Sequence, residues 1–279
     1  MNPPQSPVED IPEFILRNVE KNPRTITRLV MGRFAMTRPA AMQHVNRLIA
    51  AGQLIASGST RDRKYSLALL TDATSRFPIT PQLREDSVWR DSTRPHLDSV
   101  PQNVLEVCQY GLTEMVSNVV DHSEGQAMVV AVRRSAAHVR IMVHDDGIGI
   151  FNKISRDLNL GEPRHAILEL AKGKLTTDPT RHTGEGIFFT SRMFEGFSIL
   201  SDGLFFSHTQ PTDDWLIEHD KQASGTMIVL EISPMATTTT KQVFDRYSPE
   251  DADYAFTRTH VPVALARYGD ERLVSRVPS

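Results

Sequence analysis

The chain has 279 residues, 39% of them hydrophobic and 23% charged, an ordinary globular balance with room for two domains. It has no run of about 18 apolar residues to span a membrane, and its start, MNPPQSPVEDIPEF, lacks the basic-then-apolar order of a secretory signal, so a cytoplasmic protein is expected. The net charge of −3 is unevenly spread: residues 1–69 carry ten Lys/Arg against five Asp/Glu, which leaves +5 at the front and −8 behind and suggests different partners for the two parts.

Residues 11–22 (IPEFILRNVEKN) put Ile11, Phe14, Ile15 and Val19 at helical spacing, and Pro23 cannot continue the helix. Thr25 is a candidate cap for a second helix over 26–35. Thr37 is one for a third over 39–51, with proline near its first turn and Gly52 past its end. LIASGSTRDRKYSLAL then gives two short strands around a polar turn holding Gly58, Ser59 and Asp62. Three helices followed by a basic hairpin resemble a winged helix-turn-helix over residues 1–70. The resemblance implies that the third helix enters the major groove of double-stranded DNA, with Gln43, Asn46 and Arg47 toward base edges. Arg61, Arg63 and Lys64 would form a wing against phosphates. A solvated helix face on a docking or dimerising module fits the same residues.

Residues 71–101 hold four prolines and no sustained period, which predicts a linker with one short helix or strand around 83–89. A long helix over 102–122 follows, with Leu105, Cys108, Leu112, Met115 and Val119 on one buried stripe. Cys108 is the sole cysteine, so no internal disulfide or cysteine metal cluster forms, and its place in the stripe predicts a buried structural thiol. Strands are expected at AMVVAVRR (127–134) and HVRIMVHD (138–145). A polar, irregular stretch over 151–183 holds one helix near 166–171. A short helix over 187–194 and strands in FSILSDGLFFSH, DWLIEHD and TMIVLEIS complete the pattern. One long helix beside a mostly antiparallel sheet implies an α+β two-layer sandwich.

Four segments carry chemistry. Glu114 and Asn118, four apart on the long helix, share a face away from the buried stripe, where a carboxylate and an amide oxygen can orient a water and hold hydrated Mg. In HDDGIGI, Asp145, Gly147 and Gly149 form an Asp-x-Gly-x-Gly turn at a strand end; its glycines allow positive φ and close approach, and its carboxylate can accept from an exocyclic amine. In HTGEGIFF, Gly184, Glu185 and Gly186 precede a helix whose free N–H groups suit phosphate, without the Gly-Lys-Ser/Thr of a Walker A loop. In SGTMIVLEI, Gly225 and Thr226 enter the last strand.

Taken in this order, the segments resemble the GHKL superfamily (gyrase B, MutL, histidine kinases and anti-sigma kinases) with its Bergerat nucleotide-binding fold. The resemblance covers about residues 102–235. It implies ATP and Mg as ligands, Glu114 activating water or a hydroxyl, Asn118 on the metal and Asp145 reading the adenine amine. It further implies that Gly147 and Gly149 shape the pocket, that Gly184 and Gly186 cradle phosphates, that Thr226 supports the adenine side and that 150–183 form a lid. Lys172, Lys174 and Arg181 are lid cations within reach of a phosphate or simply solvated. His122 follows the anti-sigma pattern, which implies a place near the phosphates, or is a histidine hydrogen-bonded at the helix end, whereas many histidine kinases have a basic residue where this chain has Asp121; the proline-rich 71–101 also cannot supply a phosphoacceptor helix pair. The tail 236–279 includes a stretch, 255–279, similar to the opening of a STAS-like domain. The functions implied are a slow ATPase that controls a DNA-binding or partner-binding winged helix, an anti-sigma-type Ser/Thr kinase acting on a STAS-like partner, or a non-catalytic DNA-binding or dimerisation module. GHKL proteins often form ATP-dependent homodimers.

Overall fold

Helix α1 (Ile11–Asn18) carries Pro12 in its first turn, where a missing N–H is tolerated, and buries Phe14, Ile15 and Leu16. Helix α2 (Ile26–Phe34) buries Ile26 and Val30 and ends at Ala35 in the left-handed conformation. Helix α3 (Arg38–Ala50) buries Ala41, Val45 and Leu48, spaced along one face. The caps expected from Thr25 and Thr37 are not formed by their side chains. Thr25 has φ −114° and ψ 0° rather than the extended backbone of a capping residue, and its hydroxyl donates at 3.5 Å to Asn22 Oδ1. Strands β1 (Leu54–Ser57) and β2 (Lys64–Leu67) pair antiparallel, Leu54 opposite Leu67 and Ser57 opposite Lys64. The Tyr65 N–H donates to Pro23 O at 2.8 Å, tying this hairpin to the α1–α2 connection.

These elements come from a computed structural model that describes residues 10–59, 62–163, 165–167, 186–209, 214–218, 224–247 and 263–267. The chain divides into two units, one of Met1–Asp72 with Arg133–Val139 and one of Ala73–Val132 with Arg140–Ser279.

The expected linker 71–101 is instead regular structure. Strand β3 (Thr71–Pro78) is followed by helix α4 (Glu85–Val88), which runs on through a π turn (Trp89–Thr93) and a 3-10 turn (Arg94–His96). Val88, Trp89, Leu97 and Val100 are buried, but the helical pitch changes twice along this run, so no single period is visible in the sequence. β3 is an end strand with no fully buried residue, and so it lacks hydrophobic alternation.

Helix α5 (Gln102–His122) buries Val104, Val107, Cys108, Gly111, Leu112, Met115, Val116 and Val119. Strands β4 (Ala127–Arg134), β5 (Val139–Asp145), β6 (Gly196–Ser201), β7 (Leu204–Thr209), β8 (Asp214–Glu218), β9 (Thr226–Ile232) and β10 (Val263–Arg267) join β3 in an eight-stranded sheet. Its order is β10-β8-β7-β6-β9-β5-β4-β3. Pairing is antiparallel at β6–β7, β6–β9 and β7–β8 and parallel at β8–β10. The expected single run FSILSDGLFFSH is a hairpin, turning at Asp202 (φ 54°) and Gly203 (φ 74°), because two successive positive φ values match the twist of the flanking strands.

Helix α6 (Ile150–Asp157) buries Phe151 and Ile154, so the first part of the stretch expected to be irregular is helical. The helix expected near 166–171 falls mostly outside the described residues. Helix α7 (Gly186–Met193) packs against α5 and β6, and helix α8 (Thr240–Tyr247) packs on α5 and α7. Residues 236–247, expected to be tail, therefore belong to this unit. Asn103 Nδ2 donates to the Ala236 and Thr238 carbonyls at 2.8 and 3.1 Å, and Phe244 packs at a tilt, 4.7 Å from Phe189, and edge-on at 5.5 Å to Tyr110. Of the STAS-like stretch, only 263–267 is described, as β10. The architecture is mixed α and β.

Candidate functional site

Alternation along β5 sends Val139, Ile141 and Val143 to the buried side, and the same period of two carries Asp145 there at the strand's end. Asp145 is only 3% exposed. Burial pushes its pKa above the usual carboxylate value, against the opposing pull of the backbone N–H groups of Gly147 and Thr226 and of the neighbouring His144. The Gly147 bond, to Oδ1, is 2.8 Å. Among the described residues no Lys or Arg pairs with this carboxylate. A buried carboxylate without a Lys or Arg partner among the described residues is costly to keep ionised and points to a task beyond packing.

The glycines around it serve different needs. Gly149 has φ 86°, and a Cβ there would stand 2.5 Å from the Asp202 carboxylate carbon. Gly147 is not in the left-handed region; it needs room, since a Cβ would lie 2.7 Å from the Ser123 carbonyl carbon and 2.9 Å from Asp145 Oδ1. Positive φ was the expected reason for both, and it holds for Gly149 alone. Gly225 combines the two demands, with φ 82° and a Cβ position 2.7 Å from the Asp145 carbonyl carbon. Thr226, next in the chain, accepts the Ile150 N–H on Oγ at 2.9 Å, and its carbonyl lies 3.2 Å from His144 Nδ1. Asp145, Gly147, Gly149 and Thr226 are thus brought together.

Glu114 and Asn118 are half-buried on α5. A Cβ at Gly186, the first residue of α7, would stand 3.0 Å from Glu114 Cδ and closer to its Oε2, so the carboxylate sits against the head of α7, where the helix dipole favours negative charge. Asn118 Nδ2 is buried without a hydrogen-bond partner among the described residues. Beyond it, the Ser123 carbonyl accepts the Ile148 N–H at 2.9 Å, which docks the glycine turn onto the end of α5. From Glu114 past Asn118 to Ser123 is roughly 13 Å of helix axis. His122 is half-buried in the last turn of α5, and Asp121 accepts from Ser117 Oγ at 3.5 Å. Lys172, Lys174, Arg181, Gly184 and Glu185 lie outside the described residues.

One residue escaped the sequence reading. Asp202 is half-buried on the β6–β7 turn, accepts from Ser201 Oγ at 2.8 Å, and has a pKa raised mainly by burial. The signal was present in the Asp-Gly pair between alternating apolar residues, a hairpin mark that would have put Asp202 at a turn.

In the other unit, Gln43, Asn46 and Arg47 are all exposed on the face of α3 opposite its buried residues. Arg63 and Lys64 are exposed where the hairpin turn enters β2, and Asp62 pairs with Arg24 at 2.8 Å. Arg61 lies outside the described residues.

No protein-family model matches the chain, and no curated protein is significantly similar to it. No helix among the described residues is long and apolar enough to cross a membrane. No group of three or more His, Cys, Asp or Glu among them could hold a metal ion. A hard cation at Asn118 would therefore take most of its oxygens from a phosphate ligand and water, as magnesium commonly does. Gly147, Gly149 and Gly225 mark places where backbone or carboxylate atoms pack too closely for a Cβ, and the Asn118 Nδ2 has no hydrogen-bond partner among the described residues.

Proposed function

We propose that the unit containing α5 and the sheet binds Mg-ATP in a GHKL-type pocket of the Bergerat fold, and that the protein is a slow ATPase whose nucleotide state controls its N-terminal winged helix. The observation that carries this reading is Asp145: a buried carboxylate, unpaired by any Lys or Arg among the described residues, in a turn that Gly147, Gly149 and Gly225 allow to pack closely. Such a group is suited to accept from an adenine amine, and Thr226 would support it from β9. Asn118 would hold the metal through its amide oxygen. ATP would supply a terminal phosphoryl group able to pass to water or to a hydroxyl. Glu114, beside Asn118 on α5, would orient the attacking oxygen and take its proton. The distance along α5 between Glu114 and the glycine turn suits an elongated ligand with its base at one end and its phosphates at the other.

The N-terminal unit would bind double-stranded DNA. The coplanar exposure of Gln43, Asn46 and Arg47, and the exposed Arg63 and Lys64 on the hairpin, support that reading. The test of the ATPase is to incubate the purified protein with Mg-ATP and follow ADP and intact mass together, with Asp145→Asn beside it. ADP formed by the wild type and lost in the variant is the expected result. A gain of one phosphoryl group on a protein side chain would replace hydrolysis with the anti-sigma-type kinase reaction, and ADP formation unaffected by Asp145→Asn would refute the pocket.

A further inference from the structure

Helix α6 begins at the glycine turn, with Gly149 in the N-cap position. Glycine has no side chain to take the N–H groups left open at a helix start, and the groups that face them come from elsewhere in the chain. The Ile150 N–H donates to Thr226 Oγ on β9, and the carboxylate of Asp202 on the β6–β7 turn lies against Gly149 at the head of the helix, on the side of the Asn152 N–H. Asp202 also accepts from Ser201 Oγ, which is 3.1 Å from the Gly225 carbonyl, and Thr226 Oγ is 3.5 Å from Ser201 Oγ. The Gly149 Cα packs directly on the Asp202 carboxylate, which leaves no space for a Cβ. Asp202 itself holds φ 54°, an uncommon conformation for a residue with a side chain, and this backbone turns its carboxylate toward α6.

We propose that Asp202 is a positioning residue that caps α6 from a distant hairpin and so fixes the glycine turn 147–149 on which Asp145 depends. The carboxylate is suited to this: an acceptor-only group at the positive end of a helix gains from both hydrogen bonding and the dipole. In linking β6–β7 to α6 it joins the Thr226 side of the pocket to the segment that begins the lid. The packing of Asp202 on the head of α6 is independent of any ligand; its service to nucleotide binding rests on the function proposed above.

The test uses the full chain with Asp202→Gly and Asp202→Asn. Glycine is at ease at φ 54° and removes only the carboxylate, whereas asparagine tolerates that conformation and retains an acceptor for the Asn152 N–H. Amide hydrogen exchange is measured without nucleotide over 150–157, with β4 as an internal control of global stability, and ATP affinity is measured by calorimetry. In Asp202→Gly, exchange at Asn152 and its neighbours rises about fivefold, the scale of a lost helix cap, while β4 is unchanged. Asp202→Asn restores most of the protection, and ATP affinity falls in Asp202→Gly and recovers in Asp202→Asn in the same order. Unchanged exchange over 150–157 in folded Asp202→Gly overturns the cap. Faster exchange with wild-type ATP affinity overturns its positioning role. Failure of the wild type to bind ATP would instead remove the nucleotide function, with the exchange data still deciding the cap.

Discussion

Replacing Gly147 by alanine adds one methyl group at the tightest point of the glycine turn. The new Cβ would start 2.7 Å from the Ser123 carbonyl carbon, where ordinary contact begins near 3.4 Å, so turn and helix end must separate by at least 0.7 Å. That separation stretches the 2.9 Å Ile148 N–H to Ser123 bond to about 3.6 Å, beyond useful hydrogen bonding. It also presses on Asp145 Oδ1, the acceptor of the Gly147 N–H. One lost backbone hydrogen bond costs about 1 kcal/mol and the overpacking about 1–3 kcal/mol, so the unit should lose roughly 2–4 kcal/mol of stability. Both tryptophans, Trp89 and Trp215, lie in this unit, and their fluorescence in a urea titration reports its unfolding. Because the displaced carboxylate is the proposed adenine contact, ATP affinity should fall at least about tenfold, which corresponds to ~1.4 kcal/mol. Gly32→Ala, in the other unit, is the control: nothing lies within 4 Å of its Cβ position, and both properties should stay at wild-type values. A Gly147→Ala protein as stable as wild type, with equal ATP affinity, would refute the idea that closeness at this turn sets the position of Asp145.

Three further outcomes are expected. Since burial raises the pKa of folded Asp145, its contribution to stability is fully present below the unfolded value of about 3.9 and is lost as pH rises through the folded value. The stability of wild type relative to Asp145→Asn should therefore fall with rising pH across that window, and a difference constant with pH in thermal unfolding would contradict the buried-carboxylate account. Glu114→Ala should bind ATP nearly as wild type while ADP formation falls by at least about a hundredfold, the usual worth of a general base; unchanged turnover takes Glu114 out of the mechanism. For the DNA reading, Lys64→Ala should weaken duplex binding evenly across sequences and reduce the slope of log affinity against log salt by about 1. An unaltered slope in fluorescence anisotropy would place Lys64 away from the phosphates.

The parts of the fold legible in the sequence are those with one dominant local signal. Helices α2 and α3 and the long α5 begin and end within a residue or two of expectation, because apolar spacing, Pro39 and Gly52 all act over short range. The failures have a common cause in tertiary context. β3 carries no hydrophobic alternation because it is an end strand, α4 changes pitch, and α6 follows a glycine turn whose cap comes from about fifty residues along the chain. At the site, the motif residues Asp145, Gly147, Gly149 and Thr226 were visible and do converge. The reason for Gly147 was not visible, because a demand for space depends on what a partner element, here Ser123, brings against it. Asp202 was missed for the same reason: an Asp-Gly pair marks a turn, but nothing local says which helix that turn will touch.

The single cysteine gives the protein a built-in reporter. Cys108 is fully buried on α5, and burial pushes its thiol pKa up to about 12, so the nucleophilic thiolate is scarce and enclosed. An alkylating reagent can reach it only when the packing around α5 opens. The labelling rate under native conditions, read by mass with no engineered probe, thus measures how often the helix carrying Glu114 and Asn118 opens. Any ligand that binds the closed form would slow that rate in proportion to its occupancy.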